Sequence, residues 1–444
     1  MTAKPEILTK LKKLLIFTAV LAGIVFLLDR IFPLPELRPY SKIVYAEDGA
    51  ILNAYLSADD KWRLRTSLDE VSPKLIQAVI AKEDNYFYWH NGVNPVAVAR
   101  AFYQNLTEGE VVSGASTITM QVARILEPGD RTIVNKFLEM LRAFQLELHY
   151  SKDEILEIYL SHLPLGGNIE GIKSGALIYF NKAPENLSLA EAAALSIIPN
   201  DPNKYRIDES TAALKTKRNS LLERFKADGV FSAEEIDQAM QEEITSARYK
   251  IAPIAPHFAL RMAAGNDNDK IYTTLNSNTQ KKCAGLLKKY VQRNRSLGIS
   301  NGCVIVIDNH NSKVLAYCGS SDFSDELNDG QVDGITAVRS PGSTLKPFLY
   351  ASAFERGSLT PTMKLLDVPT EYAGYEPQNY SLDYLGMVTA DFALKHSLNV
   401  PAVRMLYDHG FSRFIETLEN CGFGSISKNK IGRASCRERV YCEV

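Results

Sequence analysis

Three short arrangements in this chain have residue types and spacing suited to bond chemistry. Glu83 and Asp84 are adjacent carboxylates, and a carboxylate drawn partly out of water suits proton abstraction. Lys136 and Glu139 lie three apart. On a helix that makes them neighbours, either a surface ion pair worth a few tenths of a kcal/mol or a cation and an acid held beside a reacting group. Ser343 and Lys346 are also three apart, so a neutral lysine amine could take the serine's hydroxyl proton. Ser-x-x-Lys alone is common and carries little weight.

The elements that must hold these residues can be read locally. Ser72-Pro73 starts a helix, serine as cap and proline at the first helical position, running to about Asp84. Ile76, Val79, Ile80 and Glu83 share one stripe of it, so Glu83 points with buried aliphatics. Glu83 and Asp84 also sit at the negative end of the helix dipole, an unfavourable place for anions. Such breaches mark function, or else a surface pair at a frayed end. Tyr86, Phe87, Tyr88 and Trp89 supply aromatic walls, His90, Asn91 and Gly92 a turn, and Asn94-Pro95 the start of a helix carrying Arg100 and Asn105.

Ser113-Gly114-Ala115-Ser116-Thr117-Ile118-Thr119-Met120-Gln121 then opens another helix. Small residues there leave backbone N–H groups aimed outward, ready for phosphate, although an ordinary capped helix reads the same. From Arg131 to Tyr150 the pattern is an amphipathic helix, with Val134, Leu138, Leu141, Gln145 and Leu148 expected along its buried face and Lys136 and Glu139 on another. Ser151-x-x-Glu154 and Ser188-x-x-Glu191 are capping boxes for two more helices.

Taken in order, these strings resemble a family. Glu83-Asp84-x-x-Phe87-x-x-His90-x-Gly92 and Gly114-x-Ser116-Thr117-Ile118-Thr119-x-Gln121 resemble the first two motifs of the family 51 peptidoglycan glycosyltransferases. Asn135-Lys136-Phe137-Leu138-Glu139 resembles the third, the stretch ending Ser161-His162-Leu163-Pro164-Leu165-Gly166-Gly167 the fourth, and Gly175 to Lys182 the fifth. The resemblance implies a mostly α, lysozyme-like fold. Asn85 and Asn135 stand where the family has arginines, which puts pyrophosphate binding in doubt. Asn181 replaces a glycine, a swap that a left-handed backbone position tolerates.

The chain has 444 residues, 50 Lys+Arg against 52 Asp+Glu and 45% hydrophobic content, enough for two domains plus linkers. No basic excess points to nucleic acid. Leu14 to Leu28 is uncharged and apolar, and with Ile31 and Phe32 the run reaches about 19 residues, roughly 28 Å of helix against a hydrocarbon core of about 30 Å. A cleaved signal peptide is the rival, but no small-x-small cleavage site follows the run. Lys4, Lys10, Lys12 and Lys13 precede it, so the short N-terminus is expected in the cytoplasm and the rest outside.

Further on, Cys303 to Asp308 and Lys313 to Cys318 read as a strand-turn-strand in which Cys303 and Cys318 could face each other, as a disulfide or as free buried thiols. Asp267-Asn268-Asp269 has the Asp-x-Asp form of some metal-dependent glycosyltransferases but lies in a polar linker. Ser343-x-x-Lys346 with Ser397-x-Asn399, flanked by Pro341-Gly342 and Pro347-Phe348, resembles the transpeptidase module of a class A penicillin-binding protein. Gln331-Val332-Asp333-Gly334 and Met120 resemble the 1C type. No Lys-Thr-Gly occurs, so the transpeptidase is expected to be truncated and inactive in this chain. The tail from Ile431 resembles a translated sequencing adapter and is set aside as non-native.

The expected organisation is thus a cytoplasmic tail (1–13), a transmembrane anchor (14–32), a stem (33–66), a mostly α glycosyltransferase domain (67–205), a linker (206–270) and the first part of an α/β transpeptidase (271–430). It would sit in a bacterial cytoplasmic membrane by a single pass. By resemblance, Glu83 is the general base of an inverting polymerisation of lipid II onto a growing glycan strand, with Glu139 its catalytic partner. Asp84, His90, Arg100, Gly114, Ser116, Thr117, Gln121 and Lys136 would hold the sugar-pyrophosphate. In the second module Ser343 is the nucleophile, Lys346 its base, and Ser397 and Asn399 substrate contacts. No pattern demands a cofactor, and a divalent cation, Mg or Mn, is left open as an aid to the pyrophosphate. Moenomycin and β-lactams are the implied inhibitors, and other cell-wall synthesis proteins the implied partners. The alternatives are a non-catalytic membrane-tethered scaffold or β-lactam sensor, and a lysozyme-like hydrolase.

Overall fold

In the computed structural model the described residues are 5–108, 116–130, 132–205, 207, 211–244, 247–338, 340–372 and 374–423. They fall into two compact units, one through Gln331 and one from Val332.

The first unit begins with α1 (Pro5–Ile31). Its side chains from Leu15 to Leu28 are largely exposed where described. Among the described residues no helix is long and apolar enough to cross a membrane; the side chain of Leu14, within the expected anchor, lies outside them. Strands β1 (Ile43–Tyr45) and β2 (Ile51–Ala54) are antiparallel, and β3 (Trp62–Arg63) follows.

The helical body is built from α2 (Pro73–Glu83), α3 (Pro95–Glu108), α4 (Ile118–Leu126), α5 (Ile133–His149) and α6 (Lys152–His162). After β4 (Ile169–Glu170), which pairs in parallel with β3, come α7 (Ile172–Phe180) and α8 (Leu189–Ile197). Both expected capping boxes form, Ser151 with Glu154 on α6 and Ser188 with Glu191 on α8. Asn181 ends α7 in the left-handed conformation (φ 52°), the backbone that its replacement of glycine requires. Every residue of α8 is buried, so an alanine-rich helix small enough to be surrounded forms the axis of the core.

The charged, helix-prone stretch expected as a linker forms α9 (Thr211–Ala227) and α10 (Ala233–Gln241), followed by α11 (Pro256–Ala263). Leu222, Phe225 and Ile236 join the same hydrophobic core as Leu75, Val79 and Leu195. A charged, helix-prone sequence is one face of an amphipathic helix as readily as it is a connector. Then β5 (Lys270–Tyr272) pairs in parallel with β1, and α12 (Ser277–Asn294) packs on the hairpin of β6 (Val304–Ile307) and β7 (Val314–Cys318). Gln280 fastens that packing, accepting from the Tyr317 N–H (2.7 Å) and donating to its carbonyl (3.0 Å). The second compact unit begins after Gln331. The expected hairpin is present, but Cys303 is exposed while Cys318 is buried, and both are free thiols.

The second unit is α/β: α13 (Lys346–Glu355), the antiparallel hairpin β8 (Lys364–Asp367) and β9 (Gly386–Thr389), then α14 (Ala390–Lys395), α15 (Asn399–His409) and α16 (Phe411–Asn420). Leu349, Tyr350, Val388, Ala393, Phe414 and Leu418 form its core.

Candidate active sites

Glu83 is the last residue of α2 and, 15% exposed, continues the stripe of buried Val79 and half-buried Ile76 and Ile80. Gln121 donates to its Oε2 (2.7 Å), and Lys82 donates to its Oε1. Lys82 is itself only 9% exposed and also donates to Asn200 Oδ1 (2.9 Å). An anion at a helix C-terminus is thus met by a cation and an amide, which removes the dipole penalty expected there.

The deeply buried carboxylate is Asp84, 3% exposed. His90 Nε2 lies 3.1 and 3.0 Å from its two oxygens, and the Ile118 N–H donates to Oδ2 (3.2 Å). Thr117 caps α4, accepting from the Met120 N–H and donating to the Gly92 carbonyl (2.5 Å). Asp84, His90 and Thr117, expected as substrate contacts, are buried and together form a latch that fixes the start of α4 against the end of α2. The same bonds occupy N–H groups expected to be free for phosphate, so the opening of α4 offers fewer donors than its sequence suggests. Gly92 is part of this fit: at φ +83°, a Cβ there would lie 2.8 Å from the Ala143 carbonyl group on α5.

Just before α4, Ser116 accepts from Lys136 Nζ, which also donates to Glu139 (2.8 Å). The start of α4 therefore meets Glu83 through Gln121 on one side and Lys136 with Glu139 through Ser116 on the other. Asn135, in place of the expected arginine, donates to the Asp130 carbonyl (2.9 Å) and closes a turn. Arg100 is exposed on α3, and Gly114 lies outside the described residues.

The face of α5 expected to be buried is not. Val134, Leu138, Leu141 and Leu148 are exposed, with Ile133, Phe137 and Phe144, while Ala143 and Leu146 face the core. At the end of this stripe Gln145 and His149 each reach Asp29 of α1 at 2.8 Å. Periodicity says that a face avoids water, not that protein covers it.

His162 is buried, with Nδ1 on the Ile158 carbonyl (2.8 Å), and burial lowers its pKa. Among the described residues no cluster of three or more His, Cys, Asp or Glu is arranged to hold a metal ion; Asp269 of the Asp-x-Asp sequence reaches Arg65 (3.5 Å).

In the second unit, Ser343 sits on a 3-10 turn (Gly342–Leu345) leading into α13, exposed to solvent. Lys346 at the start of α13 donates to the Ser397 carbonyl (2.6 Å), Ser397 Oγ (3.1 Å) and Asn399 Oδ1 (2.6 Å). Ser397 is held at φ 51°, and Asn399 is fixed by the Asn379 side chain through its own N–H (2.8 Å). Burial lowers Lys346 to about 8, toward the neutral amine that proton abstraction needs. Lys346, Ser397 and Asn399 thus meet as the resemblance implies.

Sequence reasoning missed two residues at the first site. Lys82 is adjacent to Glu83, and neighbours in sequence do not normally face each other on a helix. Tyr159, on α6, donates to Gln121 Oε1 (3.3 Å) from 38 residues away.

Residues 48–226 match the family model described as Transglycosylase, and residues 302–436 match that described as Penicillin binding protein transpeptidase domain. The chain is 39% identical to penicillin-binding protein 1C of Escherichia coli (strain K12), over 89% of this chain and 51% of that protein. It is 31% identical to penicillin-binding protein 1F of Bacillus subtilis (strain 168), over 84% and 54%. The chain thus spans about half the length of these curated relatives. The crystal structure of penicillin-binding protein 1A from Haemophilus influenzae matches 89% of this chain and 65% of its own at 18% identity and a TM-score of 0.45.

Proposed function

The chain belongs to the class A penicillin-binding proteins, of the 1C type, and from that membership we propose that its first unit polymerises lipid II into peptidoglycan glycan strands. Glu83 takes the proton of the acceptor 4-hydroxyl as that oxygen bonds to the anomeric carbon of the lipid-linked donor. Configuration inverts and the lipid pyrophosphate leaves. Lys136 meets its growing negative charge, with Glu139, Ser116 and Gln121 holding the surrounding groups. One observation carries this reading: the start of α4 is bonded both to Glu83, through Gln121, and to the Lys136–Glu139 pair, through Ser116. Base and leaving-group cation then flank one helix opening.

The second unit is proposed as the part of an acyl-transfer module that carries the nucleophile Ser343 and its base Lys346; this chain, which holds no Lys-Thr-Gly, is proposed not to complete that transfer. The apolar run 14–32 is proposed as a single-pass anchor of a bacterial cytoplasmic membrane. Exposure of its described side chains supports that, and the bonds from α5 to Asp29 support placing the exposed stripe of α5 at the same lipid surface.

The test is to incubate detergent-solubilised protein with labelled lipid II and resolve the products by size, with and without moenomycin. Long, moenomycin-sensitive strands are expected. A folded protein that makes none overturns the reading in favour of a scaffold, and release of short muropeptides from preformed strands would mark a hydrolase.

A further inference from the structure

We propose that Tyr159 is a positioning residue of the polymerase site, one that sets the orientation of the Gln121 side-chain amide and through it the Glu83 carboxylate. The proposal rests on the polymerase reading above. Tyr159 is buried on α6, and Gln121 Oε1 is the partner of its hydroxyl among the described residues. At 3.3 Å the bond is long, so its value lies in direction more than in strength.

A glutamine amide has two faces, one accepting and one donating, and can turn over by half a rotation. Here the two neighbours demand opposite faces. Glu83, as a carboxylate, can only accept, so it needs the Gln121 N–H, which it has at 2.7 Å. Tyr159 can donate or accept, but burial, and after it the charge of Glu83, push its pKa well above the usual tyrosine value. The hydroxyl therefore keeps its proton and must place it. With the amide as observed, every group is satisfied. Turned over, Gln121 Oε1 would face Glu83 Oε2, two acceptors in repulsion, and the tyrosine proton would be stranded in a buried site.

This matters because Glu83 is held from both sides, by Lys82 at Oε1 and by Gln121 at Oε2. A carboxylate clamped in this way presents a fixed lone-pair direction to an incoming hydroxyl. If the amide is free to turn, the clamp opens on one side, and small misplacements of a base cost rate steeply.

The test is a double-mutant cycle on the full chain: Tyr159→Phe, Gln121→Leu and both, with kcat and KM for labelled lipid II and thermal melting for each. Tyr159→Phe is expected to lower kcat about 5- to 10-fold with KM within about twofold, and to have no further effect on kcat in the Gln121→Leu background. Equal losses in both backgrounds would show a merely structural tyrosine and overturn the proposal. So would an unchanged kcat in Tyr159→Phe. If Tyr159→Phe melts early, the same cycle is read at a temperature well below its midpoint, where the folded fraction is complete. Glu83→Gln serves as the control: if the unaltered protein makes no strands, or Glu83→Gln makes them at full rate, the polymerase reading falls first. An active protein with a dead Glu83→Gln and a normal Tyr159→Phe rejects the positioning role alone.

Discussion

Glu83 in the first unit faces a cation and an amide, whereas Lys346 in the second, among the described residues, faces neutral oxygens. Around Glu83 charges come in compensated sets: Lys82 with Glu83, Lys136 with Glu139, and Lys152 with Glu147 at 2.6 Å. Around Lys346 the partners are a carbonyl, a hydroxyl and an amide oxygen, and its amine is lowered to about 8 by burial. Both groups are proposed to take a proton from a hydroxyl. A site that must also neutralise a leaving diphosphate is built from ion pairs, while one that needs a neutral amine withholds the counter-charge and lets desolvation work.

That contrast can be broken by experiment, most sharply at Glu83. Glu83→Gln, which keeps shape and removes the base, is expected to lower strand synthesis about 10²- to 10⁴-fold in the lipid II assay. Near-full activity would end the assignment.

A smaller effect is expected from the latch that sets Glu83 against α4. Asp84→Asn weakens the contact with His90 and the hydrogen bond to the Ile118 N–H, so chemical denaturation should show a loss of about 1–3 kcal/mol. A stability equal to that of the unaltered protein would return Asp84 to the substrate-contacting role its motif suggests.

A change of comparable size, and of the opposite sign, is expected in the second unit. Lys346 binds its proton less tightly when folded, about 8 against the ordinary lysine value of 10.5. Between those values the unfolded chain carries more protons, so stability should rise with pH from about 8 to about 10.5 and the penalty should be fully present below 8. Lys346→Met should abolish that rise and melt higher than the unaltered protein at pH 7, measured by urea unfolding of the second unit at pH 7 and 9.5. A lower melting point with an unchanged pH slope would mean that the amine is compensated after all, and the contrast with Glu83 would disappear.

Much of this arrangement is local and was legible in the sequence. The capping boxes at Ser151 and Ser188, the hairpin ending at Cys318 and the left-handed turn at Asn181 each depend on a few consecutive residues, and each formed as read. The convergence of Lys346 with Ser397 and Asn399 was legible only through the resemblance, since about fifty residues separate them. Other expectations failed where a pattern has two physical outcomes. The stripe on α5 is apolar and periodic, yet it faces outward; the helices after 206, expected as a linker, join the core.

By itself, then, the sequence determined which residues carry chemistry, where helices and turns begin, and the order of the two modules, because residue type and short-range backbone preference decide those things. Only the tertiary structure decided that Asp84, His90 and Thr117 are buried bolts, that Lys82 is the counter-ion of Glu83, and that Tyr159 reaches Gln121 from another helix. Spacing along a chain records periodicity, whereas the partner of a buried polar group is chosen by whichever distant element packing brings within hydrogen-bond reach.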